Sequence, residues 1–77
     1  MGNLAPTMKE KKKLNRIKVV LAEKEKTNAD LARALNKNQA TISRWCTNDA
    51  QPGLETLFEI AQYLEVDVSE LIQKREN

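Results

Sequence analysis

The stretch Thr27-Asn28-Ala29-Asp30-Leu31-Ala32-Arg33-Ala34-Leu35-Asn36-Lys37-Asn38-Gln39-Ala40-Thr41-Ile42-Ser43-Arg44-Trp45-Cys46-Thr47 contains two helix starts and a helix stop. Thr27 and Asp30 have the spacing of a capping box, with Asp in place of the usual Glu or Gln. The Thr27 hydroxyl can accept from the Asp30 amide, and the Asp30 carboxylate can reach back to the Thr27 amide. Leu31, Ala32 and Leu35 then fall on one side over two turns. Asn36 can take the left-handed conformation that ends a helix at low cost. Asn38 is a good N-cap for the next helix, Gln39 to Thr47, which keeps Ile42 and Trp45 on one side. The expectation is a pair of helices joined by a turn of about three residues.

The helical reading continues on both sides. Upstream, Leu14, Ile17, Val20 and Leu21 recur at helical spacing and predict a helix from about Lys11 to Lys24, with Lys18 and Glu23 on its wet side. Downstream, Thr47 to Gly53 is polar, ends in Pro52-Gly53 and reads as a loop. Leu54, Leu57, Phe58, Ile60, Ala61 and Leu64 then form the apolar stripe of a fourth helix. Asp67 and Glu70 repeat the capping-box spacing and predict a short fifth helix carrying Val68, Leu71 and Ile72. The prolines and glycines are confined to Gly2, Pro6, Pro52 and Gly53, so no strong breaker interrupts residues 14–51, and strand-like alternation is nowhere sustained. The expected fold is all-α with five helices: an ordered domain over 14–72, a flexible basic arm over 1–13 and a polar tail over 73–77.

The helix at 39–47 presents an unusual outer face. At about 100° per residue, Gln39, Ala40, Ser43, Arg44 and Thr47 fall within an arc of about 140°, opposite Thr41, Ile42 and Trp45. A solvated face is usually filled with Lys and Glu. This one is short, neutral or amide-bearing with one arginine, which allows close approach to another surface. Glutamine can pair bidentately with adenine and arginine with the acceptor edge of guanine, while Ala40 and Ser43 are small enough to let the backbone near base edges or a thymine methyl.

Residues 28–47 resemble the helix-turn-helix of the Cro/C1-type (XRE-like) bacterial and phage transcriptional regulators. The likeness is carried by Asp30-Leu31-Ala32 in the first helix of the motif and Gln39-Ala40-Thr41-Ile42-Ser43-Arg44-Trp45 in the second. Pro52-Gly53-Leu54-Glu55-Thr56-Leu57, Ile60-Ala61 through Leu64, and Val66-Asp67-Val68-Ser69-Glu70-Leu71 look like the family's fourth and fifth helices. The resemblance implies a compact lambda-repressor-like domain that places the helix 39–47 in the major groove of double-stranded DNA. It puts Gln39, Ala40, Ser43 and Arg44 at base-contacting positions. Asn28, Lys37, Thr41, Thr47 and Asn48 fall at or near the DNA backbone, and Ala32 at the tight crossing of the two motif helices. Some positions depart from the pattern. Asn36 replaces a turn glycine, and Lys37 and Lys26 stand where apolar residues are usual, which should weaken local packing. Cys46 and Asn48 replace a common Glu and Gly.

Composition narrows the function classes. Seventy-seven residues allow one small domain, which buries only roughly 60% of its unfolded surface and leaves no room for a deep substrate cavity. With no His and one Cys, the chain lacks a Ser-His-Asp or Cys-His catalytic group, a Cys/His zinc site and an internal disulfide. No enzyme activity, cofactor or metal is expected. No apolar run approaches the roughly 20 residues that span a bilayer, and a free thiol suits a reducing cytoplasm. The net charge of +2 hides a division: residues 1–53 hold 11 Lys and Arg against 5 acids, residues 54–77 hold 2 against 6. The basic part includes Lys11, Lys12 and Lys13, which can lie along phosphate without fixed structure. Trp45 is expected to anchor the helix in the core. Cys46 is expected to be an inert filler, with only Arg44 near enough to lower its pKa. The leading expectation is a DNA-binding regulator, a repressor acting as a homodimer on two half-sites, with Phe58 or the Val68, Leu71, Ile72 group at the dimer contact. The alternative is a module with a protein partner, such as the antitoxin of a toxin-antitoxin pair.

Overall fold

A computed structural model describes residues 13–74. Four α-helices follow in order, α1 (Ile17–Glu23), α2 (Asn28–Leu35), α3 (Gln39–Cys46) and α4 (Leu54–Leu64), and then a 3₁₀ helix at Val68–Leu71. Among the described residues the sole extended pairing is one antiparallel bridge between Asn15 and Ile72. The all-α expectation holds, with the fifth helix reduced to a 3₁₀ turn.

Every helix contributes to one core. Ile17, Val20 and Leu21 come from α1, Leu31 and Ala32 from α2, Ile42 and Trp45 from α3, and Ile60, Ala61 and Leu64 from α4. Leu71 of the 3₁₀ helix completes it. α2 packs against both α3 and α4, and α1 against α3 and the 3₁₀ helix. Helices of seven to eleven residues are marginal alone in water, so this shared burial is what keeps them folded. No described helix is long and apolar enough to cross a membrane.

The structure departs from the sequence expectations at both ends of the domain. α1 begins at Ile17, well after Lys11, because the preceding backbone is engaged elsewhere. The Arg16 amide donates to the Leu71 carbonyl at 2.8 Å, and the Leu14 carbonyl accepts from Gln73 at 2.9 Å. Asn15 Oδ1 then accepts from the Ile17 amide at 3.0 Å. Leu14, expected on the inner face, is 52% exposed. At the other end, the Asp67–Glu70 capping box does not form, since Asp67 makes no side-chain cap. Ile72 turns extended to meet Asn15 and is exposed. On α4 the stripe narrows to Leu57, Ile60, Ala61 and Leu64, leaving Leu54 and Phe58 69% and 54% exposed.

All four α-helices end in the same way. Glu25, Asn36, Asn48 and Glu65 each adopt positive φ, between 57° and 63°. Each pairs its amide, and the amide after it, with carbonyls of the last turn: Glu25 with Ala22 and Lys26 with Leu21, Asn36 with Arg33 and Lys37 with Ala32, Asn48 with Trp45 and Asp49 with Arg44, Glu65 with Gln62 and Val66 with Ala61. This is the Schellman ending, built four times without glycine. Lys26, expected to weaken the packing before α2, instead carries its ammonium 5.5 Å from the centre of the Tyr63 ring, a cation–π contact.

Candidate nucleic-acid interface

The candidate surface is built on α2, α3 and the turn between them. α2 starts in the expected capping box: Thr27 Oγ1 accepts from the Asp30 amide at 3.0 Å, and Asp30 Oδ2 accepts from the Thr27 amide at 2.9 Å. The bond from the Thr27 backbone, chiefly, holds the Asp30 carboxyl below its ordinary value of 3.8. Arg33 adds a 2.8 Å ion pair to Asp30. The left-handed Asn36 reverses the chain, and Asn38 caps α3 by accepting from the Thr41 amide at 2.9 Å. The turn is therefore set locally, by the left-handed backbone at Asn36 and the side-chain cap of Asn38, and only three residues separate the two helices.

Ile42 and Trp45 root α3 in the core, which turns its other face outward. Gln39, Ala40, Ser43, Arg44 and Thr47 are all exposed on that face, and Lys37 is exposed in the turn beside it. Asn28, the first residue of α2, is half-buried, and its Oδ1 accepts from the Cys46 thiol at 3.4 Å. Thr41 is half-buried as well. The Thr47 hydroxyl lies 2.8 Å from an Asp49 carboxylate oxygen and 3.2 Å from the Arg44 carbonyl, either of which can accept its single proton. Lys13 is exposed, whereas Lys11 and Lys12 lie outside the described residues.

Asn48 is engaged internally. Its Oδ1 accepts from the amides of Leu14 and Asn15 at 2.9 and 3.0 Å and from Gln51 Nε2 at 2.9 Å, while its Nδ2 donates to the Asn15 carbonyl at 3.3 Å. Asn15 answers by donating from Nδ2 to the Trp45 carbonyl at 3.0 Å and to Gln51 Oε1 at 2.7 Å. A cleft of about 380 Å³ opens beside this cluster, between Lys13, Lys18, Val19 and the end of α3. Burial pushes the Cys46 thiol above its ordinary value, and the cation that offsets this is Lys18 of α1, not Arg44 as expected. No group of His, Cys, Asp and Glu able to hold a metal occurs among the described residues.

Two helices of eight residues, packed against each other and joined by a left-handed turn, with the second helix half buried and half bare, constitute a helix-turn-helix. The family pattern for helix-turn-helix domains matches residues 17–71. The chain belongs to the Cro/C1-type helix-turn-helix family. Its structure is similar to the crystal structure of a protein from Bacteroides fragilis described as a putative DNA-binding protein. The two are 55% identical, with a TM-score of 0.77, over 78% of this chain and 97% of the other. No curated relative matches the chain.

Around this helix-turn-helix, the roles that sequence reasoning missed are those of Asn15, Gln51 and Lys18. Asn15 carried a signal, since Asn two positions before an apolar helical run is a favoured cap. It was obscured by Lys11, Lys12 and Lys13, which extend the helical pattern upstream. Lys18 acts on Cys46 and Gln51 accepts from Asn15, both distant in sequence, so neither role is marked locally; of these contacts, the Gln51–Asn48 bond alone is local.

Proposed function

We propose that this domain binds double-stranded DNA sequence-selectively and regulates transcription as a repressor, by seating α3 in the major groove. The observation that carries the reading is the exposed row Gln39, Ala40, Ser43 and Arg44 on a helix whose opposite side is locked in the core by Ile42 and Trp45. A rigid helix presenting an amide, two small residues and a guanidinium fits base edges. Lys37, Thr41 and Thr47 flank that row and would contact phosphate, as would Asn28 at the positive end of α2. Asn48 leaves this set in our reading, because its amide oxygen already serves three donors inside the chain. Lys11, Lys12 and Lys13 would add phosphate contacts beyond the motif.

One copy offers few base contacts, so the working form is a homodimer reading half-sites one turn, roughly 34 Å, apart. Leu54 and Phe58, one turn apart and exposed on α4, are apolar surface available to the second copy. Selection of bound duplexes from a random pool tests the reading. Gln39→Ala is then expected to cost about 1–3 kcal/mol on the selected duplex and to relax preference at one base pair. Equal loss on every sequence would show that Gln39 does not read a base.

A further inference from the structure

We infer that Asn15 and Asn48 are positioning residues that aim the C-terminal end of α3, and Arg44 with it, at the bases; this rests on the DNA-binding reading above. The last carbonyls of a helix have no partners within it. In α3 the Trp45 carbonyl accepts from the Asn48 amide and from Asn15 Nδ2, and the Arg44 carbonyl accepts from the amides of Asp49 and Ala50. Asn15 is only 7% exposed, yet every polar group it has is engaged: its amide and carbonyl with Asn48, its Oδ1 with the Ile17 amide, its Nδ2 with Trp45 and Gln51. Among the described residues no buried side-chain nitrogen or oxygen lacks a partner. The same backbone segment bonds to Leu71 and Gln73. The clamp thus ties the end of α3 to the segment before α1 and, through it, to the chain after the 3₁₀ helix.

The chemistry explains what this adds to core packing. Burial of Ile42 and Trp45 is strong but non-directional: it turns one face of α3 inward and does not itself define the helix's roll by particular distances and angles. Hydrogen bonds have narrow distance and angle ranges, so bonds to the last turn fix that roll. Bidentate base contacts are equally narrow, and Arg44 sits in the clamped turn. Gln39, at the opposite end, is set by the Asn38 cap instead. The two ends of the reading helix are therefore aimed by separate devices.

The test uses the full chain and the duplex that the parent protein selects, with Arg44→Ala and Gln39→Ala defining which base pair each side chain reads. Asn48→Gly keeps the left-handed backbone and removes the side chain. It is expected to lower preference at the Arg44 base pair by about tenfold, the size of one lost base contact, and to keep preference at the Gln39 pair. Asn48→Asp retains the accepting oxygen but loses the donor to the Asn15 carbonyl, so it is expected to lower preference at the Arg44 pair less than Asn48→Gly does, while its charge weakens binding to all duplexes alike. An Asn48→Gly protein that melts earlier but keeps both preferences when folded would overturn the inference, as would equal loss at both pairs. If Asn48→Gly does not fold, Gln51→Ala, which removes an exposed partner of the same cluster, is read by the same criteria. If Arg44→Ala changes no preference, the inference fails while DNA reading through Gln39 stands. A parent protein that distinguishes no duplex would overturn both.

Discussion

Asp30 shows how one side chain serves folding and placement together. Its carboxylate accepts the Thr27 amide, sits at the positive end of α2 and pairs with Arg33, so the charged form is favoured in the folded state. A folded-state pKa below the ordinary 3.8 means that this contribution is present above that value and is lost as pH falls through the lower, folded value. Asp30→Asn should therefore be less stable than the parent at neutral pH. The gap should narrow progressively as pH falls below 3.8, followed by urea unfolding at each pH. Cys46 works in the opposite sense: its raised pKa favours the neutral thiol, so its effect on stability appears only as pH rises past 9.0. That, with its partly buried place beside Asn28, makes it a filler of the motif rather than a reactive group. Asn36 and Asn38 complete the residue-scale design by reversing and restarting the chain with two side chains of one type.

The helix ends repeat one geometry at four places, but the residues in it are not equivalent. Glu25 and Glu65 hold positive φ with no side-chain bond of their own in the structure's hydrogen-bond network among the described residues, so each bears the steric cost of a Cβ in the left-handed region. That cost, roughly 1–2 kcal/mol, exceeds the extra chain entropy a glycine loses on folding. Glu65→Gly is expected to stabilise the domain by about 0.5–1 kcal/mol, a few degrees in Tm, measured by thermal unfolding. The same change at Asn48 relieves less strain, since Asn takes the left-handed region at low cost, and removes four hydrogen bonds, so it should lower Tm. Identical backbone conformations thus give opposite outcomes, decided by what the side chain holds. α1 and the 3₁₀ helix were the elements least legible in the sequence. Lys11 to Arg16 have a helical pattern, but the Leu14 to Arg16 backbone instead bonds to Asn48, Leu71 and Gln73, and those tertiary bonds prevail over a weak local preference.

At the scale of the whole molecule, the small net charge of +2 divides into a basic portion holding the motif and an acidic one holding α4 and the residues after it. A DNA complex should accordingly weaken steeply with salt, and each lost phosphate contact should flatten that dependence. Lys37→Gln is expected to weaken binding to specific and non-specific duplexes alike and to reduce the slope of log affinity against log salt by about one, read from binding isotherms at several salt concentrations. By itself the sequence determined the helical class, the two paired helices, with the second read one residue too long at Thr47, their caps at Thr27, Asp30, Asn36 and Asn38, and the bare outer row of α3. All of these depend on interactions within about one helical turn, which periodicity and capping chemistry express directly. Only the tertiary structure decided where α1 begins, that Leu54 and Phe58 stay exposed, and that Asn48 faces inward to Asn15. Asn15 and Asn48 stand 33 residues apart, and such a pair meets only after the core has closed and brought the chain before α1 alongside the end of α3.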